Sequence, residues 1–177
     1  MTNLHKATLG GGCFWCIDAA FRQVNGVVKV RSGYCGGHIE QPTYQQICQG
    51  DTGHAEVVEI LFDPQVINYK QLLEMFFTLH DPTQLNRQGN DVGTQYRSVI
   101  FYHDEQQHHQ AKDEIASQQT AHPEPIVTEV SAACPFYSAE SYHQDYYTNN
   151  PNQGYCSILI APKLAKFKTQ FSHLLKE

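Results

Sequence analysis

The sequence predicts an α+β fold: a ferredoxin-like split βαβ, two-layer sandwich with an added edge strand and a C-terminal coil and helix extension. Three observations carry that expectation. Apolar residues recur at helical spacing in two stretches, at Phe14, Ile17, Phe21 and Val24 and at Leu72, Leu73, Phe76 and Leu79. Alternating, β-branched runs lie between and around them, above all Ala55 to Phe62. In chain order the first elements read strand, helix, strand, strand, helix, strand, the order of a small sheet with helices packed on one face. The 177 residues suffice for one domain with a proper core.

Taken in order, Lys6 to Leu9 reads as a short strand that feeds three glycines. A helix is expected from about Cys13 to Gln23, ended by Asn25-Gly26, since both residues tolerate the left-handed conformation. Val27 to Tyr34 reads as a strand broken by Gly36-Gly37. Pro42 opens a helical turn, Thr43 to Gln49, closed by Gly50. The Ala55–Phe62 strand stops at Asp63-Pro64. Asn68 caps a helix over Tyr69 to Leu79. His80 to Gln95 is polar and aperiodic, so it reads as one long loop. Arg97 to Tyr102 is a strand, and Asp104 to Thr120 a polar, exposed helix carrying His108 and His109 on its surface. Ile126 to Val130 is the added edge strand. Ser138 caps a short helix running to Tyr147, Asn149 to Gly154 is a turn-rich linker, and Leu164, Phe167, Phe171, Leu174 and Leu175 stripe a last helix.

Composition excludes several classes. Hydrophobic residues make up 41% and charged residues 17%, a globular balance. The net charge of −6 and the lack of a basic run give no electrostatic footprint for nucleic acid. No apolar stretch is long enough to span a bilayer, and Met1 to Lys6 has no signal-peptide core, so no membrane partner and a cytoplasmic location are expected. A small acidic domain is expected to be a monomer.

The chemistry starts at Gly10-Gly11-Gly12-Cys13-Phe14-Trp15-Cys16. Glycines let the backbone turn tightly and approach a ligand. Cys13 then falls at a helix N-terminus, where free N–H groups and the dipole favour an anion. That predicts a depressed pKa and a nucleophilic thiolate. Phe14 and Trp15 beside it suggest a pocket for a small apolar group. The bland alternative is a buried, inert thiol. Cys13 and Cys16 have zinc-ligand spacing, yet no second Cys-x-x-Cys or His-x-x-x-His supplies the remaining ligands, so neither metal nor cofactor is expected. Cys35, Cys48 and Cys134 read as structural or incidental thiols in a reducing compartment. Four further polar-aromatic clusters stand out: Pro42 to Tyr44, Thr52 to Glu56, Gly89 to Arg97 and Ser141 to Tyr146. Unaided, Glu56 is a solvent-facing strand carboxylate, Tyr44 and Tyr96 are amphipathic packing, and Asp91 is a turn residue.

Together, Gly-Cys-Phe-Trp at Gly12 to Trp15, Thr-Gly-His-Ala-Glu ending at Glu56, and Gly-Asn-Asp-x-Gly-Thr-Gln-Tyr-Arg-Ser from Gly89 to Ser98 resemble the A type of peptide methionine sulfoxide reductase. The resemblance runs in family order from about Ala7 to Lys168. It implies one catalytic domain over 1–177, with about 149–177 an extension carrying Cys156. It implies Cys13 as nucleophile, Phe14 and Trp15 as the floor for the substrate methyl group, and Glu56 as the carboxyl beside the sulfoxide oxygen. Tyr44 and Tyr96 match hydrogen-bond donors to that oxygen, and Asp91 a further carboxylate of the site. The implied substrate is the S epimer of methionine sulfoxide, free or in proteins, with thioredoxin as reductant. Attack on sulfur leaves Cys13 as a sulfenic acid, which a second thiol resolves to a disulfide. Cys156 matches the common resolving position; Cys16 is the second choice, at a position where many relatives carry Gly. A partly buried Glu56 would have a raised pKa and act as the acid. The competing enzyme class is a thioredoxin-like thiol–disulfide oxidoreductase using Cys13 and Cys16 directly, against which the element order and a Trp inside the motif both argue. A redox-sensing or zinc-binding module without turnover is the third.

Overall fold

A computed structural model describes residues 3–176. Its centre is a six-stranded sheet. Strands β1 (His5–Gly10), β2 (Val27–Cys35), β3 (Ala55–Phe62) and β6 (Val99–Tyr102) stand in the order β6-β1-β3-β2, every pair antiparallel. That is the split βαβ arrangement expected from the element order, with β3 inserted between the two strands that helix α1 (Phe14–Arg22) connects. Helix α3 (Tyr69–Leu79) makes the second crossover, from β3 to β6.

The alternation in β3 divides the sheet into two faces. Val58, Ile60 and Phe62 join the main core with Ile17 and Phe21 of α1 and with Leu72 and Phe76 of α3. Ala55 and Val57 point the other way and cluster with Cys35, Val99 and Phe101 under Phe136. Glu56 shares the helix side of β3, which puts a carboxyl among buried apolar residues. Helix α6 (Ala161–Gln170) closes that side through Leu164 and Phe167.

Local signals hold at several helix ends. Thr43 and Gln46 form a capping box on α2 (Tyr44–Gln49), and Gly50 ends it at φ 82°. Asn68 and Gln71 form another on α3. Helix α4 (Glu105–Gln119) is the expected polar helix; its inward residues are Gln107, Ala111 and Glu114.

Four expectations change. The segment His80 to Gln95 folds locally, as a ribbon of β4 (Arg87–Gln88) and β5 (Asp91–Val92) followed by a 3₁₀ turn, Thr94–Tyr96. The added edge strand lies later, as β7 (Glu129–Ala132), parallel to β6. Val127 N–H is taken by Pro82 O and Ile126 N–H by the Gln119 side chain, so pairing starts only at Glu129. Ser138 is not a helix cap: it sits in β8 (Tyr137–Ser138), a second edge strand on β2. The chain beyond it breaks into a 3₁₀ turn, Ser141–His143, and α5 (Tyr146–Asn149), separated by Asp145 at φ 54°. The Gln144 side chain explains the break. It accepts from Ser32 N–H at 2.8 Å and donates to Ser32 O and Ala139 O, extending the ladder of β2 where a continuous helix would leave it unpaired. Finally, the last helix begins before Leu164, through a π turn over Cys156–Ile160. Among the described residues no helix is long and apolar enough to cross a membrane.

Phe21 is wholly buried between α1 and the sheet. Phe21→Ala is expected to lower unfolding free energy by about 3–5 kcal/mol in urea titration, whereas Val28→Ala on the exposed sheet surface should change it by less than about 0.5 kcal/mol.

Candidate active site

The site is built where β1 hands the chain to α1. Gly12 takes φ +81°, a left-handed conformation open to glycine, and its N–H donates to Tyr96 O at 3.1 Å. Gly11 is needed for a different reason than ligand access: a Cβ there would stand 2.7 Å from His80 Cδ2. His80 is wedged beneath the turn, with Nδ1 bonded to Phe76 O at 2.8 Å and Nε2 to Ser98 Oγ at 2.7 Å. Burial pushes its pKa down to about 4, which keeps the ring neutral.

Cys13 is the N-cap residue of α1, in extended conformation and half-buried. Its pKa runs opposite to the expectation from helix position. Burial, and then the carboxyl of Glu56, hold the thiol well above its usual value; only the Trp15 backbone N–H pulls it down, and Asp91 adds to the rise. Desolvation and two carboxyls outweigh one helix terminus, so Cys13 rests as a thiol.

Glu56 is 1% exposed. Its Oε1 accepts the Phe14 N–H at 3.2 Å, tying the carboxyl to the residue after Cys13. Burial raises its pKa to about 8, with the Phe14 bond opposing and Asp91 assisting. The residue is therefore not the solvent-facing strand carboxylate that an isolated reading of β3 suggests. Tyr44 and Tyr96 both lie in the field of Glu56; each phenol is raised first by burial, then Tyr44 by the Cys48 thiol and Tyr96 by Glu56, so both keep their protons at neutral pH. Asp91, in β5, accepts from Tyr155 Oη at 2.5 Å and contributes to the fields at Cys13, Glu56 and Tyr96.

The two aromatics after Cys13 part ways. Phe14 is wholly buried, packed at 5.7 Å from Tyr34 and 5.3 Å from His143, and so underlies the site instead of lining it. Trp15 stays partly open. Tyr146 stacks on it at 3.8 Å and 10°, Tyr155 meets it edge-on at 5.8 Å, and its Nε1–H donates to His143 Nδ1 at 3.0 Å. Glu140 completes the wall, accepting from Tyr34 Oη at 3.1 Å and Tyr44 N–H at 2.9 Å. Sequence reasoning marked the Ser141–Tyr146 cluster without giving His143 or Tyr146 a role, and it missed Glu140, Tyr155 and His80. The aromatic density of Ser141 to Tyr146 was the available signal.

Cys13, Cys16, Asp91, Tyr155 and Lys163 line one cavity of about 290 Å³. Burial pushes the Cys16 thiol up to about 11, with Lys163 opposing. Cys156 is wholly buried at the start of the π turn, its N–H held by Gln153 Oε1 at 3.0 Å. The linker before it, Asn149 to Gly154, is almost wholly exposed. Among the described residues, no group of three or more His, Cys, Asp or Glu side chains is assembled to hold a metal ion.

Comparison with known proteins agrees with this geometry. The family model for peptide methionine sulfoxide reductase matches residues 5–175. Peptide methionine sulfoxide reductase MsrA of Acinetobacter baumannii is 57% identical over 174 residues, spanning 98% of this chain and 99% of that protein. MsrA of Chromobacterium violaceum is 57% identical over 175 residues with the same coverage. Among solved structures, reduced Mxr1 from Saccharomyces cerevisiae superposes with a TM-score of 0.82 at 34% identity, over 86% of this chain and 89% of that chain. The turn that carries Cys13, the carboxyl beneath it and the match along nearly the whole chain agree: the chain belongs to the peptide methionine sulfoxide reductase family, in its A type, and is an oxidoreductase.

Proposed function

We propose that this enzyme reduces the S epimer of methionine sulfoxide, free or within proteins, to methionine, and so repairs oxidised proteins. The observation that carries the mechanism is Glu56: a buried carboxyl with its pKa near 8, bonded to the N–H of the residue after Cys13. A sulfoxide oxygen leaves sulfur only if it is protonated or strongly hydrogen-bonded. Neutral Glu56 supplies that proton, and Tyr44 and Tyr96 donate to the developing negative charge. Trp15 receives the methyl group, with Phe14 supporting it from below. Cys13 sulfur bonds to the substrate sulfur, the thiol proton and the Glu56 proton pass to the oxygen, and the S–O bond breaks with loss of water. Water then attacks the Cys13 sulfur, the S–S bond breaks to release methionine, a Cys13 sulfenic acid remains, and the proton that water gives up returns to Glu56.

Cys156 then attacks the sulfenic sulfur, water leaves, and a Cys13–Cys156 disulfide remains. Release of Cys156 from its buried place requires opening of the π turn, a helical form that is weak and often tied to function. Cys16 is the alternative resolving thiol, because it lines the same cavity as Cys13. Thioredoxin reduces the disulfide; in support, the yeast neighbour Mxr1 is also solved in complex with Trx2. We take the chain as one catalytic domain, 1–177, with 149–177 the extension that carries Cys156. A monomer in the cytoplasm, working without metal or cofactor, completes the proposal.

The first test supplies each separate epimer of a blocked methionine sulfoxide with dithiothreitol. Turnover of the S epimer alone, lost in Cys13→Ser, is expected; no turnover of either epimer by folded protein would return the thiol-exchange reading. With thioredoxin as reductant, Cys156→Ser should release one methionine per enzyme and then recycle slowly, while Cys16→Ser recycles normally. The reverse pattern transfers the role to Cys16.

Glu56 also sets a pH dependence. As an acid it is competent below about pH 8, so kcat/KM should fall as pH rises through that value. Glu56→Ala should lower kcat by about 10²–10⁴-fold, the range of a lost general acid. Glu56→Gln keeps a donor, and should lose less and show no fall near pH 8. Equal losses from both variants would contradict a donor role.

A further inference from the structure

Two cysteines stand apart from this chemistry. Cys35 ends β2 on the sheet face turned away from the helices, packed with Ala55, Val57, Val99 and Phe101. Cys134 lies in the connection between β7 and β8. Their sulfurs stand 3.0 Å apart across 99 positions of sequence, and Cys35 Sγ also donates to Cys134 O at 3.6 Å. Both thiols are free. They open together on a second cavity of about 380 Å³, which Lys6, Arg31 and His103 also line. This cavity lies on the opposite face of the sheet from Cys13. The sequence leaves both residues as structural or incidental thiols; their contact decides against the incidental alternative.

We propose that Cys35 and Cys134 form a second redox-active dithiol, which a hydroperoxide converts to a disulfide that clasps the β7–β8 connection to the sheet. Cys134 is exposed, so its sulfur takes the first step. It attacks the terminal peroxide oxygen, the O–O bond breaks, and water or an alcohol leaves. The resulting Cys134 sulfenic sulfur is attacked by Cys35, the S–O bond breaks, and hydroxide departs with the Cys35 proton as a second water. Two electrons pass from the two thiols to the peroxide, and the atoms balance. Burial, followed by the contact with Cys134, pushes the Cys35 thiol up to about 12, which suits the second partner and not the first.

The location gives the bond a consequence. The connection leads within a few residues to Glu140 and His143, which hold Tyr44 and Trp15. It is anchored to β2 by a strand of only two residues and by the Gln144 side chain. A covalent tie just upstream would hold this wall in place under the oxidising conditions that generate methionine sulfoxide, and a long closed loop gains most from such a tie.

The test uses a chain with Cys13, Cys16, Cys48 and Cys156 replaced by serine, treated with one equivalent of hydrogen peroxide. The thiol titre in denaturant should fall from two to none, the intact mass should drop by two hydrogens, and the urea midpoint should rise and return with dithiothreitol. Both thiols surviving, oxygen atoms added without a cross-link, or an unchanged midpoint in the cross-linked protein would each overturn the proposal. Should that variant fail to fold, the unaltered chain is treated and digested, and the Cys35–Cys134 peptide is sought by mass spectrometry; its absence is equally decisive. Cys134→Ser in the otherwise natural chain should leave sulfoxide reduction with dithiothreitol unchanged and lose this cross-link.

Discussion

The hydrogen bond from Phe14 N–H to the Glu56 carboxyl is the contact on which the rest of the site depends. It joins the first turn of α1 to β3 of the sheet, and it gives one of the free N–H groups of the helix start an ionisable partner. Burying a carboxyl costs free energy unless it is neutral or well bonded. Here both remedies operate: the pKa rises to about 8 and one backbone N–H is satisfied. The same burial raises Cys13, because two acidic groups and little water surround it. The resting site is therefore a neutral thiol facing a neutral acid, not a thiolate awaiting substrate. A polar sulfoxide can enter it without displacing a charge.

Around that pair the fold supplies fixed partners from distant parts of the chain. His80 fills the space that side-chain-free Gly11 leaves, and stays neutral because burial outweighs the bond to Phe76 O. The stretch after β8 gives up helical regularity to complete the edge of β2 through Gln144, and in doing so delivers Glu140, His143 and Tyr146 to the aromatic wall. The C-terminal segment closes the cavity with Tyr155 on Asp91 and buries Cys156 one residue further on. Each of these contacts gives up local regularity for a shared boundary with the helix start.

The two faces of the sheet carry different chemistry because strand alternation separates them. Glu56 faces the helices and bonds to the N–H of the residue after Cys13; Ala55 and Val57, its neighbours in β3, face Cys35 and Phe101. A sulfur pair on the second face can change oxidation state without entering the cavity of the first.

The sequence by itself determined the order β1-α1-β2-β3-α3-β6, the Gly50 end of α2, the Asn68 cap of α3, the polar character of α4 and, through three motifs, the family. These were legible because they rest on periodicity, caps and local spacing, which neighbouring residues decide among themselves. Only the tertiary structure decided the rest. It set the protonation of Cys13, where burial and remote carboxyls overrode a helix terminus that local reasoning favours. It gave the β4–β5 ribbon and β8 their pairings, broke the expected helix after Ser138, and brought Cys35 to Cys134. Each of these depends on desolvation or on partners far away in the chain, and neither quantity is written in any window of the sequence.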